Sequence, residues 1–252
     1  MSRNHKFLLP LTAFVVLLAL HVSAITAFGQ PPGPGGRRSS LPPIPIKGDT
    51  THTLSTHFIP AAAAKKTPDA KGFIQRWLVL EPIKNNRSNS TMTDSYLRTT
   101  FASDNFSQDY NAIPKSGEMV NVAGQDLKWY ALDSKTFNFN LYHFSYATNT
   151  TRNGVLFWLV TVINCTEEIK NVKLAAGTNS AGAFWLNGKE VLLIPGDKDV
   201  IADLATSSLL TLKKGKNILR AAVVNGQGMS NFCARFLDEK GAPVKNVTLS
   251  YE

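Results

Sequence analysis

The sequence predicts an all-β protein, an antiparallel β-sandwich, and three observations support this fold class. About ten short runs of aliphatic, aromatic and β-branched residues alternate with turn-forming residues. Helical periodicity is almost absent. The dipeptide Asn187-Gly188 lies between two of the β-prone runs, and Asn-Gly tolerates the positive φ angles of a tight hairpin turn. A β-barrel is the alternative architecture.

The first 29 residues have the pattern of a cleaved export signal. Arg3 and Lys6 precede an apolar run at residues 7–20, and small residues follow. A membrane anchor is the alternative, but this run is shorter than the roughly 20 residues that span a bilayer. We therefore expect residues 1–29 to be a signal peptide and the protein to be exported, periplasmic or secreted, with no membrane span after cleavage.

The rest of the chain divides into two parts by composition. Residues 30–70 are expected to be a flexible linker, because a stretch rich in proline and glycine sustains neither a helix nor a strand ladder. Residues 71–252 are the expected sandwich domain, which is long enough to bury a core.

The elements of this domain follow from local patterns. A strand is predicted at residues 73–80, and residues 94–101 are predicted to be either a short helix capped by Asp94 or an irregular crossing. Residues 219–224 are too apolar to have a solvent-exposed face, so they are predicted to be a central strand that is covered on both sides. Lys214-Gly215 marks a further turn. The other predicted strands are residues 119–122, 127–132, 137–142 (alternating, half-buried), 155–163, 183–191 (with the Asn-Gly turn), 232–236 and 244–249.

Charge and cysteine content limit the classes of function. The net charge is +9, but the basic residues are scattered singly and in pairs, so nucleic-acid binding is not expected. Cys165 and Cys233 both fall in β-like runs. A disulfide between them and two buried free thiols both fit the sequence, and burial as free thiols is preferred.

Five segments occur in a recognisable order: residues 76–82, 127–129, 184–190, 212–217, and 232–238 before Gly241. Together they resemble the galactose-binding-like jelly-roll domains attached to secreted bacterial glycoside hydrolases and carbohydrate esterases. Glu81 and Ile83 stand where that family commonly has Gly and Phe. The chain also resembles stand-alone exported proteins of the Bacteroidetes type labelled acetylxylan esterase. The resemblance implies a jelly-roll fold and carbohydrate recognition.

Catalytic motifs are weak in this sequence. Residues 178–182 lack the first glycine of a Gly-x-Ser-x-Gly elbow, and Ser230 has the wrong spacing for one. Past the export signal the histidines are His52, His57 and His143. Most aspartates fall in turns, where they serve local hydrogen bonds. No catalytic residue and no cofactor is predicted, and the sequence has no paired zinc ligands. A structural calcium bound by loop carbonyls is the alternative that the sequence does not exclude.

A binding surface is the remaining functional feature, since sugars are bound by aromatic platforms beside polar side chains. Trp77 and Trp158 lie in wholly apolar runs and are predicted to be core. The candidate binding residues end or flank strands, or alternate with apolar neighbours: Trp129, Tyr130, Tyr142, His143, Trp185, Asn225, Gln227 and Asn231.

The sequence thus favours a non-catalytic, carbohydrate-binding accessory sandwich of an exported polysaccharide-degrading system. Its expected partners are a plant-type polysaccharide or oligosaccharide and a catalytic glycoside hydrolase or esterase. The alternatives are a carbohydrate esterase and a structural or partner-docking subunit.

Overall fold

The computed structural model describes residues 53–84, 93–103, 109–196 and 199–252. The expected signal peptide, His52 and the linker before residue 53 lie outside the described residues. Three helices lie within them: α1 (Leu54–His57), α2 (Asp94–Ser103) and α3 (Leu141–Ala147). None of these is long and apolar enough to cross a bilayer.

Strand is the predominant secondary structure of the described residues. In chain order the strands are β1 (Phe58–Pro60), β2 (Arg76–Leu80), β3 (Ile83–Lys84), β4 (Met119–Val122), β5 (Gln125–Ser134), β6 (Phe139–Asn140), β7 (Val155–Cys165), β8 (Ile169–Thr178), β9 (Gly182–Leu186), β10 (Lys189–Ile194), β11 (Ala205–Thr206), β12 (Leu210–Leu212), β13 (Gly215–Asn225), β14 (Asn231–Leu237) and β15 (Val247–Ser250).

The strands form two antiparallel sheets. The first has the order β1-β5-β2-β7-β13-β9-β10, with β3 and β15 also paired to β7, and β4 paired to β5. The second has the order β11-β8-β14-β6, with β12 paired to β8. The predicted all-β antiparallel sandwich is confirmed.

The first sheet is buried on both faces around its long central pair, β7 and β13. These two strands pair from Gly215 opposite Cys165 to Asn225 opposite Val155. Successive side chains of a strand point to opposite faces, so an unbroken apolar run needs a cover on each side. The prediction that residues 219–224 form a central covered strand is confirmed, because all six are buried.

The inner face of the first sheet packs on the second sheet. Trp77, Phe157 and Phe184 from the first sheet share one core cluster with Leu174 and Phe232 from the second. The Trp77 and Phe232 rings meet edge to face with centroids 5.1 Å apart. Such aromatic pairs add about 0.5–1.5 kcal/mol each beyond the area they bury.

The outer face of the first sheet has a separate cover. Trp129, Trp158 and Trp185 form a second core cluster there with Leu97 of α2. Tyr110 packs against it, its ring 5.0 Å from that of Trp185 and 6.0 Å from that of Trp158. The prediction that Trp158 is core is therefore correct, and Trp77 fills the inner face in the same way.

The hairpin at Asn187-Gly188 is confirmed. Asn187 has φ 50° and Gly188 has φ 81°, and the turn joins β9 to β10. Lys214-Gly215 plays a different role from a hairpin: β12 before it belongs to the second sheet and β13 after it to the first. This turn therefore carries the chain from one layer to the other.

Two local predictions are wrong in detail. Residues 137–142 were expected to be one strand, but only Phe139 and Asn140 are, and α3 follows. The Asn140 side chain accepts a hydrogen bond from the His143 N–H and so caps α3. Residues 94–103 form a helix, which was one of the two predicted alternatives. Its cap is Thr93 and not Asp94, because the Tyr96 N–H donates to the Thr93 hydroxyl.

The expected linker boundary at residue 70 is also wrong. Strand β1 pairs with β5, and Phe58 is buried with its ring 4.7 Å from that of Phe139. Lys66 forms an antiparallel bridge with Leu249 of β15. Residues 53–70 therefore belong to the sandwich, because a short apolar segment within a polar stretch buries one aromatic side chain in the core.

A buried ion pair fixes this added segment. Arg76 donates from Nε and Nη2 to the two carboxylate oxygens of Asp133, at 2.9 Å each. Arg76 Nη1 also donates to the Ala64 carbonyl at 2.6 Å, and its guanidinium lies 5.9 Å from the centre of the Tyr251 ring. One side chain thus contacts residues 64, 133 and 251, which are far apart in the sequence.

We expect Asp133→Ala to lower the free energy of unfolding by about 3–5 kcal/mol, because it leaves the Arg76 guanidinium buried without its carboxylate. Urea denaturation followed by tryptophan fluorescence measures this change. Glu168→Ala is the matched control: it breaks an exposed pair with Lys170 and should change stability by less than about 0.5 kcal/mol. Equal losses in the two variants would contradict the role assigned to the buried pair.

Candidate functional site

A surface groove of about 500 Å³ lies on the outer side of the second sheet. Three loops and one strand form it: the turn before residue 74, the β5–β6 connection, the loop at residues 199–204, and β14. Its lining residues are Asp69, Ala70, Lys71, Phe73, Phe137, Ala202 and Arg235.

The apolar part of the groove is an aromatic pair. Phe137 is 42% exposed, whereas Phe73 is 3% exposed, and their ring centroids are 5.1 Å apart. Phe73 therefore supports Phe137 from the protein side. The result is an exposed aromatic ring whose position is fixed from below.

The polar part is Arg235, which three neighbours hold in place. Its Nε and Nη2 donate to the two carboxylate oxygens of Asp203, the first at 2.9 Å, and its Nη1 donates to the Lys71 carbonyl at 2.8 Å. The guanidinium lies over the Phe73 ring, 4.6 Å from its centre. The hydrogen bonds to Asp203 raise the pKa of Arg235, so it stays charged.

The turn on one side of the groove has a local cause. The Asp69 carboxylate accepts hydrogen bonds from the backbone N–H groups of Lys71 and Phe73, each at 2.8 Å. Gly72 has φ +84°, and a Cβ there would lie 2.6 Å from Pro243 Cβ. Aspartate and glycine are the residues that such a turn favours.

The loop on the other side depends on Gly177. A Cβ on Gly177 would lie 1.9 Å from the Ile201 carbonyl oxygen, so this loop can cross β8 closely only over a glycine. Asp203 follows in the same loop with φ 57°, a left-handed conformation that aspartate tolerates better than most residues. The close crossing brings the Asp203 carboxylate to Arg235.

This arrangement suits a ligand that has both an apolar face and hydrogen-bonding edges. Arg235 has more N–H donors than its three hydrogen bonds use, and its side chain is 18% exposed. The charge of Arg235 is already balanced by Asp203. In the described part of the chain, no cluster of three or more His, Cys, Asp or Glu side chains is placed to bind a metal ion.

None of the eight binding residues expected from the sequence lines this groove. Trp129 and Trp185 are buried in the outer-face cluster, so neither offers an exposed platform. Tyr130 is half-buried and donates to Glu81 Oε1 at 3.0 Å. Burial, together with that hydrogen bond, raises the pKa of Tyr130 to about 12.

Three of the other five expected residues, Asn225, Gln227 and Asn231, lie at the loop end where β13 turns into β14. Asn225 is buried and donates to the Arg152 carbonyl at 2.6 Å. Gln227 is exposed in the same turn. Asn231 is buried and donates to Asn179 Oδ1 at 3.0 Å.

Tyr142 and His143 reach this end through α3. The backbone N–H of Tyr142 donates to the Ser230 carbonyl at 3.0 Å. The His143 ring packs on the His57 ring with centroids 3.8 Å apart. His143 therefore lies in a helix that contacts α1, and not at the end of a strand.

Sequence reasoning missed the groove because its residues are distant in the chain. One signal was present: Arg235 interrupts the apolar run at residues 232–236, and a charge inside a buried strand needs a partner. The sequence does not indicate that the partner is Asp203.

The two cysteines are buried free thiols, as preferred from the sequence. Cys165 lies in β7 of the first sheet and Cys233 in β14 of the second, so they belong to different layers. Burial raises the pKa of both thiols, that of Cys233 to about 11. A Cβ on Gly177 would lie 3.4 Å from Cys233 Sγ, so the thiol lies next to the point where the loop at residues 199–204 crosses β8.

Comparison with solved structures finds remote likenesses. The PA14 sugar-binding domain of an RTX adhesin has a TM-score of 0.42 and 10% identity, covering 71% of this chain and 100% of that one. The PA14 domain of the antifreeze protein MpAFP has a TM-score of 0.42 and 14% identity, covering 75% and 96%.

An enzyme chain is among the likenesses too. The β-glucosidase from Kluyveromyces marxianus, solved with glucose, has a TM-score of 0.31 and 14% identity, covering 75% of this chain and 19% of that one. No family model and no curated protein matches the chain. These likenesses give no support to the acetylxylan esterase label.

We expect Gly177→Ala to displace the loop at residues 199–204 and expose the Cys233 thiol. In a Cys165→Ser background, the rate of reaction with a thiol-specific disulfide reagent at about pH 8 should rise on the order of tenfold or more. The native rate should be low, because the thiol is buried and its pKa is about 11.

Gly124→Ala in the β4–β5 hairpin is the control for this experiment. Gly124 also has a positive φ, +78°, but nothing lies within 4 Å of its added Cβ. The control should lose about 1 kcal/mol of stability without raising the reactivity of Cys233. An unchanged rate in Gly177→Ala would show that the loop does not depend on the glycine.

Proposed function

We propose that this chain binds carbohydrate through the groove at Phe137 and Arg235, as a non-catalytic accessory module of an exported polysaccharide-degrading system. The observation that carries the proposal is the pairing of an exposed, supported aromatic ring with a fixed guanidinium in one groove.

Carbohydrates match both parts of the groove. A pyranose ring presents an apolar C–H face, which packs on an aromatic ring, and hydroxyl groups at its edge, which accept hydrogen bonds from arginine. Asp69 lies on the same lining, and its carboxylate suits a hydroxyl donor. The groove is open along the surface, which suits a segment within a long chain.

Rigidity favours binding here. Phe137 rests on Phe73, and Arg235 is held by Asp203 and the Lys71 carbonyl before any ligand arrives. A side chain that is already ordered loses less entropy on binding, and each mobile side chain ordered would cost about 0.5–1.5 kcal/mol.

The charges favour a neutral sugar in this groove. The Nε and Nη2 edge of the Arg235 guanidinium, which would bind a carboxylate, already binds Asp203. Lys71 and Asp69 on the lining have opposite signs.

We expect Phe137→Ala to weaken binding to a soluble neutral polysaccharide by about tenfold or more, because it removes the stacking face. Affinity electrophoresis in gels containing xylan, arabinan, galactan or glucomannan measures the loss. Ile59→Ala is the matched control: Ile59 is an exposed apolar residue, 54% exposed, on β1 of the first sheet. The control should bind like the unchanged protein.

Two results would contradict the proposal. One is that none of the four polysaccharides retards the unchanged protein. The other is that Phe137→Ala and Ile59→Ala are retarded as strongly as the unchanged protein, which would place the binding elsewhere.

A further inference from the structure

The turn between α3 and β7 presents a second arginine, Arg152, in a setting unlike that of Arg235. Its carbonyl oxygen accepts a hydrogen bond from the buried side chain of Asn225 at 2.6 Å. Two residues later the Gly154 N–H donates to the Gly226 carbonyl at 2.9 Å. These bonds tie the backbone of Arg152 to the turn at residues 226–230, so its position on the surface is fixed.

The guanidinium of Arg152 packs on two tyrosine rings. Its Cζ lies 4.5 Å from the centre of the Tyr146 ring and 5.7 Å from that of Tyr142. Tyr142 and Tyr146 are four residues apart on α3, so they share one face of that helix. Arginine packs well on aromatic rings because its planar group is weakly hydrated, and packing through its plane leaves the N–H donors at its edge for a ligand.

Arg152 differs from three other partly exposed or ion-paired arginines in its electrostatic partners. Arg76, Arg98 and Arg235 each pair with a carboxylate: Asp133, Glu190 and Asp203, respectively. In the described residues, the contacts of the Arg152 guanidinium are with the two tyrosine rings and no carboxylate pairs with it. No carboxylate of the described residues therefore neutralises its positive charge, and the group is partly exposed and already ordered.

The chemistry of this site selects a planar anion. A guanidinium edge binds a carboxylate through two parallel hydrogen bonds. Tyr142 and Tyr146 are each partly exposed, so they add aromatic surface beside the cation, and the exposed amide of Gln227 lies in the adjoining turn. A uronic acid sugar offers all the matching features: a carboxylate, an apolar ring face and hydroxyl groups.

We propose that Arg152, with Tyr142 and Tyr146, forms a second binding site, one that takes the carboxylate of a uronic acid sugar. The groove at Arg235 cannot serve this purpose, because Asp203 occupies its guanidinium. A polysaccharide with a neutral main chain and acidic substituents would use both sites. The Arg152 site does not require the groove, so each can be tested separately.

The test is a titration of the ¹⁵N-labelled protein with glucuronate, followed by NMR. Glucuronate should shift the backbone signals of residues 226–229 and the Arg152 side-chain signal, and glucose at the same concentration should not. Arg152→Gln should weaken glucuronate binding by about tenfold or more, and Arg152→Lys should restore only part of it, since lysine lacks the planar fork. Raising NaCl from about 50 to about 500 mM should weaken binding of an exposed charge pair.

Arg98→Gln is the matched control, because it removes the same charge from an arginine whose side chain is 56% exposed. It should bind glucuronate like the unchanged protein. Phe137→Ala should also leave glucuronate binding unchanged, so failure of the groove proposal and failure of this one are distinguishable. The proposal is overturned if Arg152→Gln binds like Arg98→Gln, if glucose shifts the same signals, or if acetate binds as tightly as glucuronate, which would indicate a simple anion site.

Discussion

The structure depends on one constraint: the central strands of the first sheet carry large apolar side chains on both faces. Phe157 points to one side of β7 and Trp158 to the other, and each side must be shielded from water. The second sheet shields one face. Helix α2 and the segment around Tyr110 shield the other. Both faces of the first sheet are therefore committed to the core.

This constraint decides where binding groups can lie. Among the residues that the structure describes, no third sheet covers the outer side of the second sheet, so its strand residues meet loops and solvent. Arg235 lies there, and the loop at residues 199–204 folds over β8 to supply its partner, Asp203. The other free region is the loop end, where Arg152 rests on the tyrosines of α3. Both candidate sites thus lie outside the two packed faces of the first sheet.

The sequence predicts those features that short segments determine by themselves. Asn187-Gly188 forms its turn because two adjacent residues accept positive φ, and residues 219–224 are a covered strand because five of the six side chains are apolar. The sequence also indicated that a loop follows the central strand at Asn225, where β13 does end. These inferences need no knowledge of the rest of the fold.

Features that depend on distant partners were not predictable in the same way. Trp185 alternates with its neighbours as an outward residue does, and it does point away from the inner core, but Tyr110 covers it. Helix α3 forms where alternation indicated a strand, because its capping by Asn140 and the burial of Leu141 and Phe144 outweigh that pattern. The Phe137–Arg235 groove requires residues from four separate segments, whose proximity only the folded chain creates.

The residue at position 177 indicates whether a homologue can keep the groove. A side chain at position 177 would clash with the Ile201 carbonyl. A homologue that lacks this glycine must therefore have a different conformation of the loop that crosses β8. The residue at position 177 in a sequence alignment would then distinguish homologues that keep the Asp203–Arg235 pair from those that have lost it. This holds even where the loops themselves are too divergent to align.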